Sequence, residues 1–302
     1  MPRFEGLIAA PFTPMRPDGA LDLPVVERQA GMLLDAGVRG AFVGGTTGEC
    51  MSLTVEERLK LLERWNAVAG EDLAILVHVG HACLAEARVL AAHARQCGAR
   101  AIGMCGPFYL RPARLEDLVD WCASVAAAAP EVPFYYYHIP SVTHVAFPMA
   151  AFLEVARDRI PTLAGVKFTH EDLLDFGRCL DLDAGRYDML FGRDEILLSA
   201  LALGARGAIG STYNFAAPLF LRLWKAFESG ELALAARCQR QVRDFVAVLL
   251  RFGPLPAGKA LMKRIGVDCG PVRPPLRPLD SEEERRLFAE LERVGFFSAV
   301  TP

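Results

Sequence analysis

The chain has 302 residues, of which 52% are hydrophobic and 23% are charged, and its formal net charge is −3. This composition supplies a large core and argues against extended disorder. The small net charge argues against a nucleic-acid partner and against binding to an anionic membrane surface, so we predict a globular protein with neither partner.

Targeting and cysteine signals are also weak. The N-terminus lacks the layout of a signal peptide, and no apolar run approaches the ~18 residues of a membrane span. The eight cysteines are scattered without a Cys-x-x-Cys pair. Free buried thiols in a reducing compartment are therefore expected, and we predict a cytoplasmic protein without a metal site.

A helix-like stretch followed by glycine and a short apolar run recurs along the chain, for example at Asp35–Val43, Gln96–Ile102 and Ala202–Ile209. Glycine just past a helix end and a short, uniformly apolar run are typical of junctions that enter a parallel sheet. Eight such strands are predicted, at Leu7–Ala10, Ala41–Val43, Ala74–Val79, Ala101–Met104, Pro133–Tyr137, Leu163–Phe168, Asp188–Phe191 and Ala208–Gly210.

Amphipathic segments separate these strands. In Thr54–Ala69, Thr54 and Glu57 have the spacing of a capping box, and Val55, Leu59, Leu62 and Val68 fall near one helical face. Eight strands alternating with helices predict an α/β fold, a (β/α)8 TIM barrel. A doubly wound open sheet is the alternative, but no Gly-x-Gly-x-x-Gly opens the first unit.

After Ser211 the strand signals stop. Helical stretches are predicted at Pro218–Glu228, Glu231–Phe252, Gly258–Ile265 and Ser281–Val294, which exceeds what closing a barrel requires. We therefore predict a catalytic barrel at 1–229 and a C-terminal helical extension at 230–302.

Catalytic groups of a barrel gather where its strands end. Strand two ends in Gly44–Glu49, a glycine-rich turn with two threonines that could hold a carboxylate, or that could be only a tight turn. Reactive or hydrogen-bonding side chains end four consecutive strands, in Tyr135–Pro140, at Lys167, in Gly192–Glu195 and in Gly210–Asn214.

Lys167 is the most informative of these residues. Only five lysines occur against 28 arginines, and this one follows an apolar run that resembles a core strand. Desolvation would lower its pKa and free an amine that attacks carbonyls. The alternative is a side chain that reaches solvent or pairs with a carboxylate.

A tyrosine could assist that amine. Side chains alternate along a strand, so only one of Tyr136 and Tyr137 should face the lumen, and periodicity does not choose between them. Core aromatics with satisfied hydroxyls are the competing interpretation. The histidines nearby, His138, His144 and His170, lack the spacing of metal ligands.

Three motifs resemble the class I pyruvate aldolases, the family that includes dihydrodipicolinate synthase and N-acetylneuraminate lyase. They are Gly45–Glu49, Tyr137 before His138–Pro140, and Gly165–Lys167. By resemblance they correspond to the carboxylate loop, the proton-relay tyrosine and the Schiff-base lysine, and the match runs from Gly6 to about Leu279. The resemblance selects Tyr137 over Tyr136.

The subgroup follows from further motifs. Val142 stands where the synthases have an arginine that clamps a substrate carboxylate, and an alkyl group cannot replace it. The Gly-x-Asp-Glu and Gly-Ser-Thr-Tyr-Asn motifs are similar to those of the sialate lyases. The residues that the resemblance assigns to substrate binding are Thr46, Thr47, Thr169, Gly192, Asp194, Glu195 and Ser211.

The resemblance implies cleavage of N-acetylneuraminate through an imine on Lys167, with Tyr137 as base, aided by Thr47. It implies no separate cofactor, a small-molecule substrate and a homotetramer. His144, where glycine is usual, and Arg193 could favour a different tail, so another lysine-dependent aldolase or dehydratase acting on a different 2-oxo acid stays open. A catalytically silent sugar-acid binder is the remaining alternative. Tyr109 matches a tyrosine that in several family members reaches into the active site of a neighbouring subunit.

Overall fold

The computed structural model describes residues 3–301 and has a closed barrel of eight parallel strands in sequential order. Every predicted strand is present, with each end within one residue of its predicted position, so the barrel is confirmed and the open sheet is wrong. The strands are β1 Gly6–Ala9, β2 Gly40–Val43, β3 Ala74–His78, β4 Ala101–Met104, β5 Phe134–His138, β6 Leu163–Phe168, β7 Asp188–Phe191 and β8 Gly207–Gly210.

Helices follow the strands around the outside. They are α1 Val25–Asp35, α2 Val55–Ala69, α3 Leu84–Gln96, α4 Leu115–Ala126, α5 Pro140–Thr143, α6 Met149–Ala156, α7 Leu173–Asp181, α8 Leu197–Leu203 and α9 Tyr213–Glu228. The capping box at the start of α2 is confirmed, since Thr54 and Glu57 exchange side-chain to backbone hydrogen bonds. The buried face of α2 centres on Leu61, Leu62 and Trp65, and the other predicted apolar positions only flank it.

Four helices follow the barrel: α10 Leu232–Phe252, α11 Pro254–Arg264, α12 Ser281–Arg293 and α13 Phe296–Val300. Two predicted starts are wrong. Helix α9 begins at Tyr213 and tolerates Pro218 near a break at Ala216, whereas α11 begins at Pro254, where a missing amide costs no hydrogen bond. The extension is present, while the division between residues 229 and 230 stays a prediction.

The glycine inside α11 has a packing reason. A Cβ on Gly258 would lie 2.3 Å from Cζ of Phe12, so the missing side chain lets α11 approach the barrel closely. Over residues 3–301, no single helix is long and apolar enough to cross a membrane, and only α10 with α11 passes as a pair, bent by 112°.

The core has two layers. Side chains from alternate strand positions fill the lumen, among them Phe42, Tyr135 and Tyr137, whereas Tyr136 packs outward against Phe152. The alternation predicted for β5 is therefore confirmed, and Tyr137 is the tyrosine that shares the lumen with Lys167.

The cysteines are free thiols throughout the described chain. Six are buried, but Cys83 is exposed and Cys97 is half-buried, so the expectation of uniformly buried thiols is wrong for these two. Both lie at the ends of α3 on the outside of the barrel.

Candidate active site

A cavity of about 310 Å³ opens at the C-terminal ends of the strands. Parallel strands bring their carboxyl ends to one rim, which is why residues far apart in the sequence meet here. The cavity brings together all nine residues that the sequence predicted for the site: Thr46, Thr47, Tyr137, Lys167, Thr169, Gly192, Asp194, Glu195 and Ser211.

Lys167 on β6 is 4% exposed. Its Nζ lies 3.8 Å from the ring centroid of Tyr137 and 4.3 Å from that of Phe42. Burial lowers the pKa of Lys167 to about 7, and the charge of Asp194 opposes that shift. Among residues 3–301 no carboxylate forms an ion pair with Lys167, so the alternative interpretation, a side chain that reaches solvent or pairs with a carboxylate, is wrong. At neutral pH a large fraction of this amine is uncharged.

Tyr137 meets Thr46 rather than the lysine through its hydroxyl group. The two hydroxyl oxygens, of Tyr137 and Thr46, are 3.3 Å apart. We expected Thr47 to assist Tyr137, but Thr46 provides the hydroxyl in contact. The amine of Lys167 lies over the face of the tyrosine ring instead of bonding to its oxygen. Burial raises the pKa of Tyr137, so the phenol is protonated in the free protein.

The glycine-rich turn after β2 presents unused donors. The amides of Thr46 and Thr47 donate to no acceptor in the described part of the chain, although the turn closes through the Glu49 amide and the Thr46 carbonyl, 3.0 Å apart. The buried Thr13 hydroxyl donates to the Gly48 carbonyl over 2.7 Å and fixes the far side of the turn. Free amides beside a cavity suit a carboxylate.

Asp194 is a buried carboxylate at the end of β7. It accepts hydrogen bonds from the hydroxyl of Thr212 at 2.6 Å and from the amide of Thr212 at 3.3 Å, and its Oδ1 has no partner within residues 3–301. Burial raises the pKa of Asp194 to about 6, and Glu195 adds to that rise. A Cβ on Gly210 would lie 2.1 Å from this Oδ1, so any larger residue at this strand end would displace the Asp194 carboxylate.

Thr169 and Gly192 are similarly dependent on each other, because a Cβ on Gly192 would lie 2.1 Å from the Thr169 hydroxyl oxygen. Beside them, Arg193 pairs with Glu171 and lies 3.7 Å from Glu195. The rim next to the cavity therefore holds more carboxylates than cations.

The sequence did not predict the wall that the extension contributes. Side chains of α10 and α11 close one side of the cavity with apolar groups: Val246, Leu249, Leu250, Pro254 and Leu255. Gln239 of α10 also donates to the carbonyl of Asp194 over 3.1 Å and accepts from the amide of Leu198 over 2.8 Å. Residues of this kind look like ordinary helix positions, so no local signal could have identified them.

Four further residues singled out in the sequence lie in or near the site. Val142 on α5 lines the cavity, and His144 has a positive φ of 55°, the conformation in which glycine is favoured. Tyr109 is 82% exposed on the loop after β4. His138 packs outward against His170 with ring centroids 5.4 Å apart, and burial lowers its pKa to about 3.

Metal ligands are not grouped at this site. Across residues 3–301, no three His, Cys, Asp or Glu side chains are arranged to hold a metal ion.

Comparison with known proteins identifies relatives of this chain by sequence and by structure. The model of the dihydrodipicolinate synthetase family matches residues 3–294. The chain is 39% identical over 301 residues to N-acetylneuraminate lyase of Rattus norvegicus, covering 98% of this chain and 94% of the relative. It is 44% identical over 278 residues to the N-acetylneuraminate lyase of Xenopus tropicalis, covering 91% of each. The solved structure of Proteus mirabilis N-acetylneuraminate lyase superposes with a TM-score of 0.95 at 40% identity, covering 98% of this chain and 100% of the other.

Proposed function

The chain belongs to the dihydrodipicolinate synthetase family, and from that premise we propose that it is a carbon–carbon lyase that cleaves N-acetylneuraminate reversibly into pyruvate and N-acetylmannosamine. The single observation that carries the proposal is the buried, unpaired amine of Lys167, whose pKa burial lowers to about 7, in a cavity beside a turn with free amides. The lyases to which the chain is 39–44% identical support the choice of substrate.

The reaction begins at Lys167. Its neutral amine attacks the C2 ketone of the open-chain sugar acid, and loss of water leaves a protonated imine. The free amides of Thr46 and Thr47 hold the substrate carboxylate and so orient the imine beside Tyr137. The covalent imine is the electron sink, and no separate cofactor takes part in the proposal.

Tyr137 acts first as acid and then as base. As water leaves C2, Tyr137 gives its phenol proton to the departing hydroxyl group, and the positive imine beside its ring stabilises the resulting phenolate. The phenolate then accepts the C4 hydroxyl proton. The C3–C4 bond breaks, its electron pair enters the imine to give an enamine, and N-acetylmannosamine leaves as the aldehyde. Protonation at C3 and hydrolysis at C2 release pyruvate and restore Lys167. Thr46 is the hydroxyl placed to pass a proton to Tyr137, and Thr47 stays a predicted contributor.

The charges of the rim support a neutral hydroxylated tail. Asp194 and Glu195 can accept hydrogen bonds from vicinal hydroxyls, and Ser211 can both donate and accept. Arg193 already forms an ion pair with Glu171. A phosphorylated tail would meet these carboxylates, so we rank the alternative of a phosphorylated 2-oxo acid below the sugar acid. The missing arginine at Val142 likewise disfavours the synthase reaction.

We also propose a homotetramer and a cytoplasmic location. Tyr109 and Leu110, 82% and 83% exposed, form an apolar loop tip that a second copy of the chain could cover. The free thiols are consistent with a reducing compartment. Light scattering on the parent and on Tyr109→Ser/Leu110→Ser tests assembly, and a parent that is monomeric at micromolar concentration contradicts it. Fractionation of the source cells tests the location.

The test of function measures pyruvate release from N-acetylneuraminate with a coupled lactate dehydrogenase reaction, with Lys167→Ala as the control. Release by the parent and none by the folded variant supports the proposal. A parallel panel holds 2-oxo acids with neutral and with phosphorylated tails. If the well-folded parent releases no pyruvate from the sugar acid but cleaves a panel member, the proposed substrate is wrong. If borohydride traps no adduct between pyruvate and the parent, the proposed imine chemistry is wrong.

A further inference from the structure

The proposed mechanism leaves one charged cluster unused, at the base of the carboxylate turn. Glu49, the last residue of that turn, is buried and has a left-handed backbone with φ 55° and ψ 37°. Its Oε1 lies 2.8 Å from Nζ of Lys259 on α11, and the two side chains are 1% and 3% exposed. A buried charge pair is costly to desolvate.

The carboxylate is held from two sides. Its Oε2 accepts a hydrogen bond of 2.8 Å from the amide of Arg273, in the connector between α11 and α12. Lys259 also donates to the carbonyl of Pro271 over 2.6 Å. Glu49 therefore ties the turn both to a helix and to an extended segment of the C-terminal extension.

Arg273 extends the same clamp. Its guanidinium donates to the carbonyl of Ser52 over 2.7 Å, to the carbonyl of Gly19 over 2.7 Å and to the carboxylate of Glu57 over 2.7 Å. Ser52 and Glu57 lie just after the turn and at the start of α2. The extension thus fixes the chain on the C-terminal side of the turn, while β2 fixes it on the N-terminal side.

The only charged member of the turn is thus directed away from the cavity, while its two threonines line the cavity. Substrate cannot reach a carboxylate that is 1% exposed, with one oxygen in an ion pair with Lys259 and the other accepting the Arg273 amide. Glu49 can therefore influence substrate binding only through the conformation of the turn. The direction of the Thr46 and Thr47 amides depends on the backbone angles of a six-residue loop, and Glu49, in a conformation that costs a non-glycine residue energy, sets its end.

We propose that Glu49 and Lys259 are positioning residues, and that through them the C-terminal extension holds the Thr46–Thr47 amides in the orientation that binds the substrate carboxylate. This inference rests on the proposed function, because it assigns the turn to the carboxylate of a 2-oxo acid. It predicts that the extension controls substrate affinity without touching substrate at this point.

The test compares Glu49→Gln, Lys259→Met and the double variant with the parent and with Arg277→Met. Arg277→Met is the control for loss of a cation from the extension, because Arg277 is exposed, pairs with Glu283 and makes its hydrogen bonds within the extension. Two quantities are measured: the pyruvate concentration that gives half-maximal borohydride trapping on Lys167, and KM and kcat for the cleaved sugar acid.

The single variants should raise the half-maximal pyruvate concentration and KM at least tenfold while kcat changes less than threefold. The double variant, which buries no unpaired charge, should recover the parent's melting temperature but not its affinity, and Arg277→Met should match the parent. A double variant that binds pyruvate like the parent overturns the inference, because the pair then serves stability alone. Failure of the proposed function gives a different result, because the parent itself would then form no trapped adduct with pyruvate.

Discussion

Two buried lysines define two regions of this protein, the barrel lumen around Lys167 and the junction with the extension around Lys259. Both are 4% exposed. Lys259 has a carboxylate partner at 2.8 Å and a carbonyl acceptor at 2.6 Å, whereas Lys167 lies over two aromatic rings. Burial lowers the pKa of both, but at Lys259 the ion pair with Glu49 opposes the loss of charge. Burial without a partner, rather than burial alone, favours the neutral amine that the role proposed for Lys167 requires.

The largest expected effect follows from removal of the amine in the barrel lumen. Lys167→Met should lower the rate of pyruvate release at least about 10⁴-fold, which corresponds to about 5 kcal/mol of lost transition-state stabilisation. Long incubations at high enzyme concentration measure the residual rate. In the parent, peptide mapping after borohydride trapping should find the adduct on Lys167, and an adduct on Lys259 would reverse the assignment.

The same substitution at the junction should act on stability. Lys259→Met leaves the Glu49 carboxylate buried without its cation and should lower the free energy of unfolding by about 3–5 kcal/mol. Glu49→Gln/Lys259→Met should recover most of that loss, because it removes both charges. Urea titrations of the three proteins provide the measurement, and a Lys259→Met variant as stable as the parent would show that the pair is solvated.

Lys167→Met should change stability in the opposite direction. The pKa of Lys167 is about 7 in the folded chain and ordinarily 10.5, so the folded chain binds fewer protons than the unfolded chain between these values. The resulting penalty is fully present below pH 7 and disappears as the pH rises to 10.5. At pH 6 the variant should be more stable than the parent, on the order of 5 kcal/mol, since one pKa unit corresponds to about 1.4 kcal/mol.

Unfolding measured at pH 6 and pH 10 separates this effect from packing. A gain that persists unchanged at pH 10 would be a packing effect of methionine, and it would contradict a lowered pKa at Lys167.

The smallest expected effect is on the pH profile. Protonation of Lys167 should lower kcat/KM about tenfold for each pH unit below about 7. Because the charge of Asp194 raises the pKa of Lys167, Asp194→Asn should move the midpoint of that acid limb to lower pH, even though the variant binds substrate more weakly. Initial rates from pH 5 to 9 provide the test, and a midpoint that does not move would mean that Asp194 exerts no field at the amine.

The sequence was most informative where local chemistry is periodic or repeated. Strand ends fell within one residue because short apolar runs between glycine-marked helix ends have few alternative structures, and the Thr54–Glu57 capping box specified the start of α2. The order of strand ends also placed Lys167 and Tyr137 at one rim. The choice between Tyr136 and Tyr137 came from family resemblance, and strand alternation in the folded barrel agrees with it.

What the sequence alone determined is the barrel, the polar side chains at its rim and the position of Lys167 among them, because each depends on residue types at short spacing. Tertiary structure alone decided that Thr46 rather than Thr47 meets Tyr137, that α10 and α11 wall the cavity, and that Glu49 pairs with Lys259 across 210 positions of the chain. Partners of this kind carry no local pattern, since long-range packing brings them together only after the barrel has closed.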